Sequence, residues 1–426
     1  MLDIKLIRAE PDRVRAGCAK KRIDCDLDRI LALDEEFRSL APGIDDLRAT
    51  QRQAGKAIAK ASPDEREALL AEQKQLKARL KELEERMGAI QDELKPLLLT
   101  VPNLPADDVP EGVDDSENVE LSTWGTPRAF DFEPRDHVAI GEAQGWLDTE
   151  VAARLAGSRN YITRGELARL EHAVLRFAMD LMIERGFEPA FVPVLVRPEP
   201  LEGTGYFPGG IDQIYQTDER DDLYLVGTAE VPLTSLHAGE ILPADQLPVR
   251  LVAQSTCFRR EAGTYGKDTR GLYRVHQFQK VEQVVLDVAD EARSLEHHRA
   301  ILQNAEDLLQ AFELPYRVVN VCGGDLGAPQ VQKFDVETWM PSRDGYGETH
   351  SASRFHDFQA RRLKLRYRDA DGKVHFCHTL NNTVAASSRI LIALLENHQL
   401  EDGRVAVPPA LRSHMGGAEV IGRPLD

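Results

Sequence analysis

Charged side chains alternate along two neighbouring stretches that are predicted to form a β-hairpin. The first stretch ends in CFRRE, residues 257–261, and the second reads RVHQFQKVEQVVL, residues 274–286. Because side chains two residues apart share one face of a strand, Arg259 and Glu261 are predicted to lie on the same face. On the second strand, the polar and aromatic face is predicted to carry Arg274, His276, Phe278, Lys280 and Glu282.

Such a surface suits a ligand that combines phosphate groups, a planar base and an amine. Arginine guanidinium groups match phosphate oxygens in a bidentate arrangement. The ring of Phe278 offers a stacking platform, and Glu282 can accept a hydrogen bond from an ammonium or a hydroxyl group. The alternative interpretation is a solvated sheet face held together by ion pairs. The sequence has no P-loop motif and no glycine-rich dinucleotide fingerprint, so a nucleotide bound here would not be held by a P-loop.

Three other segments add polar residues to the same set of candidates. The triplet Thr228, Ala229 and Glu230 follows a predicted strand. The run ETHS at 348–351 is predicted to precede a polar strand, and its carboxylate and hydroxyl oxygens suit a hard cation such as Mg²⁺. The third segment places Asn381 and Thr383 at a strand end and Arg389 in the second turn of the next helix. Residues of these types in any one such segment more often have a structural than a functional role.

The pattern of helices and strands places these segments in one α+β domain, residues 125–426. Neighbouring predicted strands often lack a helical crossover, which favours a largely antiparallel sheet flanked by helices. The predicted helices span 165–185, 288–312 and 384–398. The predicted strands span 190–197, 222–227, 249–261, 272–287, 316–321, 332–339 and 361–368.

Residues 1–100 are predicted to form an N-terminal domain with an antiparallel coiled-coil arm over about 27–98. Apolar residues recur there at spacings of three and four, as in a heptad seam. The turn contains Ser62, a good N-cap, and Pro63, which suits a first helical position. Two helices of about 32 residues give an arm of roughly 50 Å. The Pro42-Gly43 pair predicts an interruption with a kink in the first helix.

A row of basic residues follows one face of the first arm helix, because residues four apart in a helix are neighbours on its surface. The row is either the solvated flank of a coiled coil or a stripe that follows a phosphate backbone. Its members are Arg48, Arg52, Lys56 and Lys60.

Charge and cysteine content narrow the class of protein. The net charge is −18, and residues 101–150 contain 13 acidic against 2 basic side chains. The part of this segment at 101–124 is also rich in proline and is predicted to be a linker. The acidic balance argues against bulk nucleic-acid binding and against a DNA partner, although a local basic surface is compatible with it. The five scattered cysteines fit reduced thiols in a cytoplasmic protein.

Two further expectations concern metal and membrane. The position of Cys377 in HFCH allows a zinc site, but no second ligand pair at metal spacing accompanies it. No apolar run is long enough for a transmembrane helix, and the N-terminal residues MLDIKLIR do not form a signal peptide. We therefore expect no membrane partner.

Together these features resemble the class II aminoacyl-tRNA synthetases, and among them the seryl-tRNA synthetases. The resemblance extends from MLDIKLIR through the arm and the VPN segment to all three class II motifs. Motif 1 corresponds to the helix near 165–185 and the strand FEPAFVPVLVRP, with Pro193 at the characteristic proline. Motif 2 is the charged hairpin, and motif 3 is NNTVAASSRILIALLENHQ with Arg389 as its arginine.

The resemblance implies an ATP and aminoacyl-adenylate site with catalytic roles for Arg259, Arg389 and Glu348. It implies that Arg259 holds the α-phosphate and the serine carboxylate, that Phe278 stacks on adenine, and that Arg389 covers the other face of the base. Glu348 and Ser351 would bind Mg²⁺. The implied ATP-binding residues are Arg259, Arg260, Glu261, Arg274, Val275, Phe278, Glu348, Thr349, His350, Ser351 and Arg389. The implied serine-binding residues are Thr228, Ala229, Glu230, Arg259, Glu282, Asn381 and Thr383.

The resemblance also implies the reaction and the partners. ATP would activate L-serine to seryl-adenylate, and the seryl group would then pass to the 3′ end of tRNA(Ser); whether tRNA(Sec) is also served stays open. The family implies a homodimer formed through motif 1, with the arm reaching tRNA bound to the other subunit. Two alternatives are an inactive paralogue and a ligase that loads an amino acid onto a carrier protein. A third is a structural coiled-coil protein with a passive domain.

Overall fold

The computed structural model describes residues 1–263 and 270–425. The chain divides into two compact units, Met1–Pro102 and Asn103–Asp426. Most of the loop predicted between the two charged strands, residues 264–269, lies outside the described residues.

The first unit is helical, and its two long helices run antiparallel. Ion pairs show the direction, because Arg29 pairs with Glu93, and Arg48, further along the chain, pairs with Glu84. Helices of this length reach about 50 Å. The helices are α1 (Ile4–Ala9), α2 (Pro11–Lys20), α3 (Leu27–Ile58) and α4 (Pro63–Thr100).

The turn of the arm has the predicted capping residues, whereas the predicted interruption is absent. The Ser62 N–H and Oγ both donate to Glu65 Oε2, at 3.1 and 2.6 Å, and Pro63 is the first residue of α4. The interruption at Pro42 was a wrong prediction, because α3 continues through this residue. Pro42 removes one backbone donor on an exposed face, while Leu33 and Ile44 stay buried on either side of it.

The second unit is built on an eight-stranded sheet of order β1-β11-β12-β13-β16-β10-β9-β4, antiparallel except between β4 and β9. The predicted antiparallel α+β core is therefore confirmed. The strands of this sheet are β1 (Val119–Trp124), β4 (Glu188–Pro189), β9 (Val249–Phe258), β10 (Gln277–Asp287), β11 (Tyr316–Asn320), β12 (Gln332–Met340), β13 (Gly345–His356) and β16 (His378–Ala386). Short strands elsewhere are β2 (Leu147–Asp148), β3 (Ile162–Thr163), β5 (Leu195–Val196), β6 (Tyr215–Gln216), β7 (Tyr224–Leu225), β8 (Ile241–Pro243), β14 (Arg366–Arg368), β15 (Val374–Phe376), β17 (Val405–Ala406) and β18 (Val420–Ile421).

Helices cover the sheet and bury its apolar side chains. Leu170 of α7, Leu308 of α10 and Leu391 of α12 join Val281 and Val285 of β10 in one core cluster. The helices are α5 (His137–Ala143), α6 (Thr149–Ala156), α7 (Gly165–Glu184), α8 (Pro198–Thr204), α9 (Glu230–Ser235), α10 (Glu291–Ala311), α11 (Phe358–Leu363), α12 (Ser387–Asn397) and α13 (Pro409–Arg412).

Three segments differ from their sequence-based descriptions. Residues 190–197 form no long strand, because Pro189 and Pro193 lack the N–H that a ladder requires. Residues 361–368 begin in α11, which ends at Leu363, and the capping residue Lys364 has a left-handed φ of 55° before β14. Much of the segment predicted as a linker lies in the second unit. Its last residues form β1, which pairs with β11 through backbone hydrogen bonds, and all six side chains of β1 are exposed.

Candidate active site

Residues of the charged hairpin line two neighbouring cavities of the second unit. The larger has a volume of about 680 Å³ and the smaller about 40 Å³. Both are lined by Arg259, Glu261, Tyr273, Glu348 and Arg389, which come from the segments around β9, β10, β13 and α12. The structure therefore brings all three residues with an implied catalytic role to one place.

The alternation predicted for the hairpin holds only where the strands are paired. Phe258 faces Gln277 at the end of the ladder, so Arg259 and Arg274 lie beyond it. Because residues before β10 are irregular, Val275 lines the small cavity together with Phe278 instead of facing away from it. Val275 and Phe278 are nearly buried, at 3% and 8% exposure, and they form an apolar wall.

Two arginines already lie against aromatic rings at this wall. The Arg259 guanidinium lies 5.4 Å from the centre of the Phe278 ring. The Arg389 guanidinium lies 4.5 Å from the centre of the Tyr273 ring. Cation–π contact holds both side chains over planar surfaces that a nucleobase can also use. Arg274 lies 3.5 Å from Glu261 and forms an ion pair with it at the edge of the larger cavity.

Arg389 is held in place by β13, the strand that carries Glu348. Its Nη1 donates to the backbone oxygen of Glu348 at 2.7 Å and lies 3.3 Å from the Glu348 carboxylate. Partial burial opposes ionisation of Glu348, but the charges of Arg389, Lys333 and Arg259 outweigh it and lower its pKa to about 2. The carboxylate is therefore ionised over the physiological range.

A bulge in β13 decides which residues of ETHS face the cavity. These residues lie inside β13 rather than before a strand, which corrects the sequence-based placement. Glu348 pairs with Glu337 and Ser351 with Asp335, so the bulge near Thr349 puts Glu348 and Ser351 on one face despite their spacing of three. Thr349 lines the small cavity.

His350 turns its side chain into the core instead of toward the cavity. Its Nδ1 accepts from Thr349 Oγ1 at 2.8 Å, and its Nε2 donates to the Val384 carbonyl at 3.0 Å. Burial lowers the pKa of His350 to about 4, so the ring is neutral. Its role in this position is to tie β13 to β16.

Next to the small cavity, a carboxylate and two hydroxyls meet in a polar recess. Glu282 Oε2 accepts from Thr228 Oγ1 at 3.3 Å and lies 3.5 Å from Thr383 Oγ1. Lys280 Nζ forms a short ion pair with the same oxygen. All four residues are at most 8% exposed, so Glu282 is a fixed acceptor surrounded by donors.

A second buried carboxylate, Glu230, completes the recess. Its Oε2 accepts from Tyr206 Oη at 3.1 Å and its Oε1 from Gln359 Nε2 at 2.9 Å. Burial, followed by the nearby charge of Glu282, raises the pKa of Glu230 to about 7. Perturbed carboxylates of this kind are common at functional sites. Lys280 was predicted on the charged face but was not assigned a site role, and no sequence signal pointed to Tyr206 or Gln359.

Two other expected site residues stand apart from these contacts, and a third lies beside them. Ala229 is fully buried in an apolar cluster, so its side chain has no polar role. Arg260 is exposed, and its backbone N–H donates to the Gln213 carbonyl. Asn381 is 5% exposed, and its Nδ2 has no hydrogen-bond partner within the described residues, which leaves a buried donor available beside Thr383.

The basic row on the arm is exposed, but its members are not equivalent. Arg48 pairs with Glu84 at 2.8 Å across the helical pair. Arg52, Lys56 and Lys60 are exposed to solvent. In the described part of the chain, no helix has both the length and the apolarity needed to cross a membrane.

Comparisons with known proteins cover the whole chain. Residues 1–105 match the family model of the seryl-tRNA synthetase N-terminal domain, and residues 214–398 match that of the tRNA synthetase class II core domain (G, H, P, S and T). The chain is 50% identical to the serine–tRNA ligase of Deinococcus radiodurans, with 100% of both chains covered. It is 48% identical to that of Thermobifida fusca over 98% of each.

Solved structures give the same result. The seryl-tRNA synthetase from Pyrococcus horikoshii complexed with ATP has a TM-score of 0.92 and 39% identity, with 100% of both chains covered. The cytoplasmic serine-tRNA ligase from Naegleria fowleri in complex with AMP has a TM-score of 0.88 and 30% identity, with 99% of both covered.

Proposed function

The chain belongs to the seryl-tRNA synthetase family, and we propose that it is a serine–tRNA ligase that uses ATP to activate L-serine. In the first step, a serine carboxylate oxygen attacks the α-phosphorus of ATP and pyrophosphate leaves. In the second, the 3′-terminal adenosine hydroxyl of tRNA(Ser) attacks the adenylate carbonyl and AMP leaves. The observation that carries the proposal is the convergence of Arg259, Arg389 and Glu348 on a cavity that adjoins the polar recess.

The nucleotide would bind against the apolar wall. Adenine would stack on Phe278, with Val275 beside it and Arg389 over its other face. Glu261 would accept from the adenine amino group, and Arg274 would contact the triphosphate. Arg259 now covers the Phe278 ring, so it would move toward the α-phosphate when ATP binds. Positioning and charge neutralisation by the two arginines would supply most of the rate acceleration.

The polar recess would select serine. Glu282, Thr228 and Thr383 would bond its hydroxyl and ammonium groups, and Glu230 and Asn381 would add a carboxylate and an amide. A buried site built for a hydroxyl penalises alanine, because alanine leaves its polar groups unpaired. Threonine carries the hydroxyl and must instead be excluded by size.

The face of β12 and β13 next to the cavity fits Mg²⁺ that arrives with ATP. Glu348 and Ser351 share this face with Asp335, whose burial raises its pKa to about 7 while Lys333 opposes that rise. Within the described residues no group of three metal-ligating side chains forms a closed cage. Mg²⁺ in nucleotide sites commonly needs only one or two carboxylates plus phosphate oxygens. When bound, the ion would neutralise phosphate charge.

The acceptor and the assembly complete the proposal. The exposed basic side chains of the arm would contact the tRNA backbone, since RNA helices are recognised largely by shape and phosphate contacts. The protein would act as a cytoplasmic homodimer formed through motif 1. Support for this surface comes from Phe191, which is 99% exposed, and from Ile183 and Leu195, which are 44% and 43% exposed.

Amino-acid-dependent exchange of pyrophosphate into ATP tests the activation step. Purified protein with Mg²⁺ is assayed with serine, threonine, alanine and glycine in parallel. Exchange with serine, and with none of the others at a comparable rate, is expected. Absence of exchange with all four amino acids, from folded protein, would overturn the proposed activity and favour an inactive paralogue.

A further inference from the structure

Two cysteines of the first unit place their sulfur atoms side by side. Cys18 lies near the end of α2, and Cys25 lies two residues before α3 begins. Their Sγ atoms are 2.9 Å apart, and both side chains are thiols. A disulfide bond is about 2.05 Å long, so closure requires the sulfurs to approach by about 0.9 Å.

The backbone holds this pair in place independently of the thiols. The Ile23 N–H donates to the Cys18 carbonyl, and the Leu27 N–H donates to the Cys25 carbonyl, both at 3.0 Å. Across the same two helices, Arg15 pairs with Asp28 at 2.5 Å. The connection between α2 and α3 therefore presents both sulfurs to each other without any rearrangement of the helices.

The surroundings make the two sulfurs chemically unequal. The hydrogen bond with Cys25 lowers the pKa of Cys18, and the positive charge of Arg15 acts in the same direction despite partial burial. The same hydrogen bond raises the pKa of Cys25. Cys18 is therefore the better nucleophile of the pair. Nucleophilic thiolates next to a second thiol are typical of oxidation-sensitive sites.

We propose that Cys18 and Cys25 form an oxidation site at which a peroxide converts the two thiols into an intramolecular disulfide. The Cys18 thiolate attacks one peroxide oxygen of H₂O₂, the O–O bond breaks and hydroxide leaves, which gives a sulfenic acid. The Cys25 sulfur then attacks the Cys18 sulfur, the S–O bond breaks, and water leaves with the Cys25 proton. Two electrons pass from the thiols to the peroxide.

The other three cysteines lack this arrangement. Cys257 is fully buried with its Sγ 3.6 Å from Ser255 Oγ, and Cys322 Sγ donates to the Asp114 carbonyl at 3.2 Å. Cys377 is buried in an apolar cluster, and burial raises its pKa to about 12. Oxidation by peroxide is therefore expected to be selective for the pair in the first unit.

Peptide mapping of the full-length protein tests this site directly. Reduced protein is treated with H₂O₂, alkylated and digested with trypsin without a reductant. Cleavage after Arg15, Lys20, Arg22 and Arg29 separates the two cysteines into AGCAK and IDCDLDR. The expected product is these two peptides joined with a loss of about 2 Da, and dithiothreitol should release them.

The single variants C18S and C25S serve as controls, and each should abolish the linked peptide. Serine-dependent pyrophosphate exchange should stay within about twofold after oxidation, because the residues proposed for activation all belong to the second unit. Two free thiols after treatment would overturn the proposal. So would Cys18 sulfinic acid without a linked peptide, or a link from either cysteine to Cys257, Cys322 or Cys377.

Discussion

Replacing Glu230 with glutamine should stabilise the second unit at alkaline pH while impairing serine binding. Burial raises the pKa of Glu230 from 4.5 to about 7, and Glu282 adds to this rise. A carboxyl group with a raised pKa in the folded state binds its proton more tightly there than in the unfolded chain. Stability is therefore lost as the pH rises from the unfolded pKa towards the folded pKa.

The size of the effect follows from the shift. Each pKa unit corresponds to about 1.4 kcal/mol, so this shift is worth roughly 3 kcal/mol in total. About 2.5 kcal/mol of it is lost between about pH 5 and about pH 8. Glutamine keeps one acceptor oxygen for Gln359 or Tyr206 and has no charge to desolvate. The variant should therefore gain about 2.5 kcal/mol relative to the wild type over this pH interval.

Urea unfolding followed by tryptophan fluorescence measures this difference. All three tryptophans, Trp124, Trp146 and Trp339, lie in the second unit, so the signal reports the unit that contains Glu230. Comparing wild type and E230Q at each pH cancels the titration of all other groups. E219Q, at an exposed position between β6 and β7, is the matched control and should show no pH-dependent gain.

The refuting result is a stability difference between E230Q and the wild type that stays constant from about pH 5 to about pH 8, within about 0.5 kcal/mol. Such a result would mean that the folded protein holds Glu230 ionised without cost. The proposed electrostatic character of the recess would then be wrong. If E230Q is stabilised and also keeps full serine activation, the cost of ionising Glu230 would be unrelated to serine binding.

Four further predictions concern the substrates and the arginine of the cavity. The KM for serine should fall by up to about tenfold as the pH rises through the Glu230 pKa of about 7, because the ionised carboxylate attracts the serine ammonium. F278A should raise the KM for ATP about 5- to 150-fold in pyrophosphate exchange, since stacking on an aromatic ring is worth about 1–3 kcal/mol per base. R389A should lower the kcat of exchange about 10²- to 10³-fold. In the arm, alanine is introduced at the three exposed positions Arg52, Lys56 and Lys60. This change should raise the KM for tRNA and weaken the salt dependence of tRNA binding, and pyrophosphate exchange should be unchanged.

Matched variants separate these effects from loss of folding. F278Y keeps the ring and should leave the KM for ATP within about threefold, whereas an equal loss in F278Y and F278A would contradict stacking. R389K keeps a charge but loses the fork, so activity equal to wild type would contradict bidentate contact. Alanine at Lys81, on the other arm helix, controls for general charge loss. A fall in exchange caused by the three arm substitutions would contradict their assignment to tRNA.

Long elements were predictable because their signals are local and repeated. Apolar residues recur at spacings of three and four in the arm, and residue types alternate in β9 and β10. The structure has helices and strands at these places, as the two periods predict. The end of α11 has no such signal. RRLKLRYR alternates like a strand, yet Ala360 and Leu363 pack together in a buried cluster and hold the first part helical. Tertiary packing decided that segment.

Candidate site residues could be predicted where each lies in a recognisable segment of sequence. Hydrogen-bond partners that are far apart in the sequence could not. Arg259, Glu348 and Arg389 were found from their segments and the resemblance. Tyr206 and Gln359 bond Glu230 from 24 and 129 residues away, and no spacing in the sequence links them. The bulge in β13 is likewise invisible in ETHS, although it decides that Ser351 lies near Glu348 while His350 is turned away.

The most direct test of the proposed ligase activity is attachment of labelled serine to a tRNA(Ser) transcript by the wild-type protein with ATP and Mg²⁺. We expect serine to be esterified to the 3′-terminal adenosine, and threonine and alanine not to be attached under the same conditions. Serine-dependent exchange without any transfer to tRNA would contradict the proposed tRNA ligase activity and favour a ligase that loads a carrier protein.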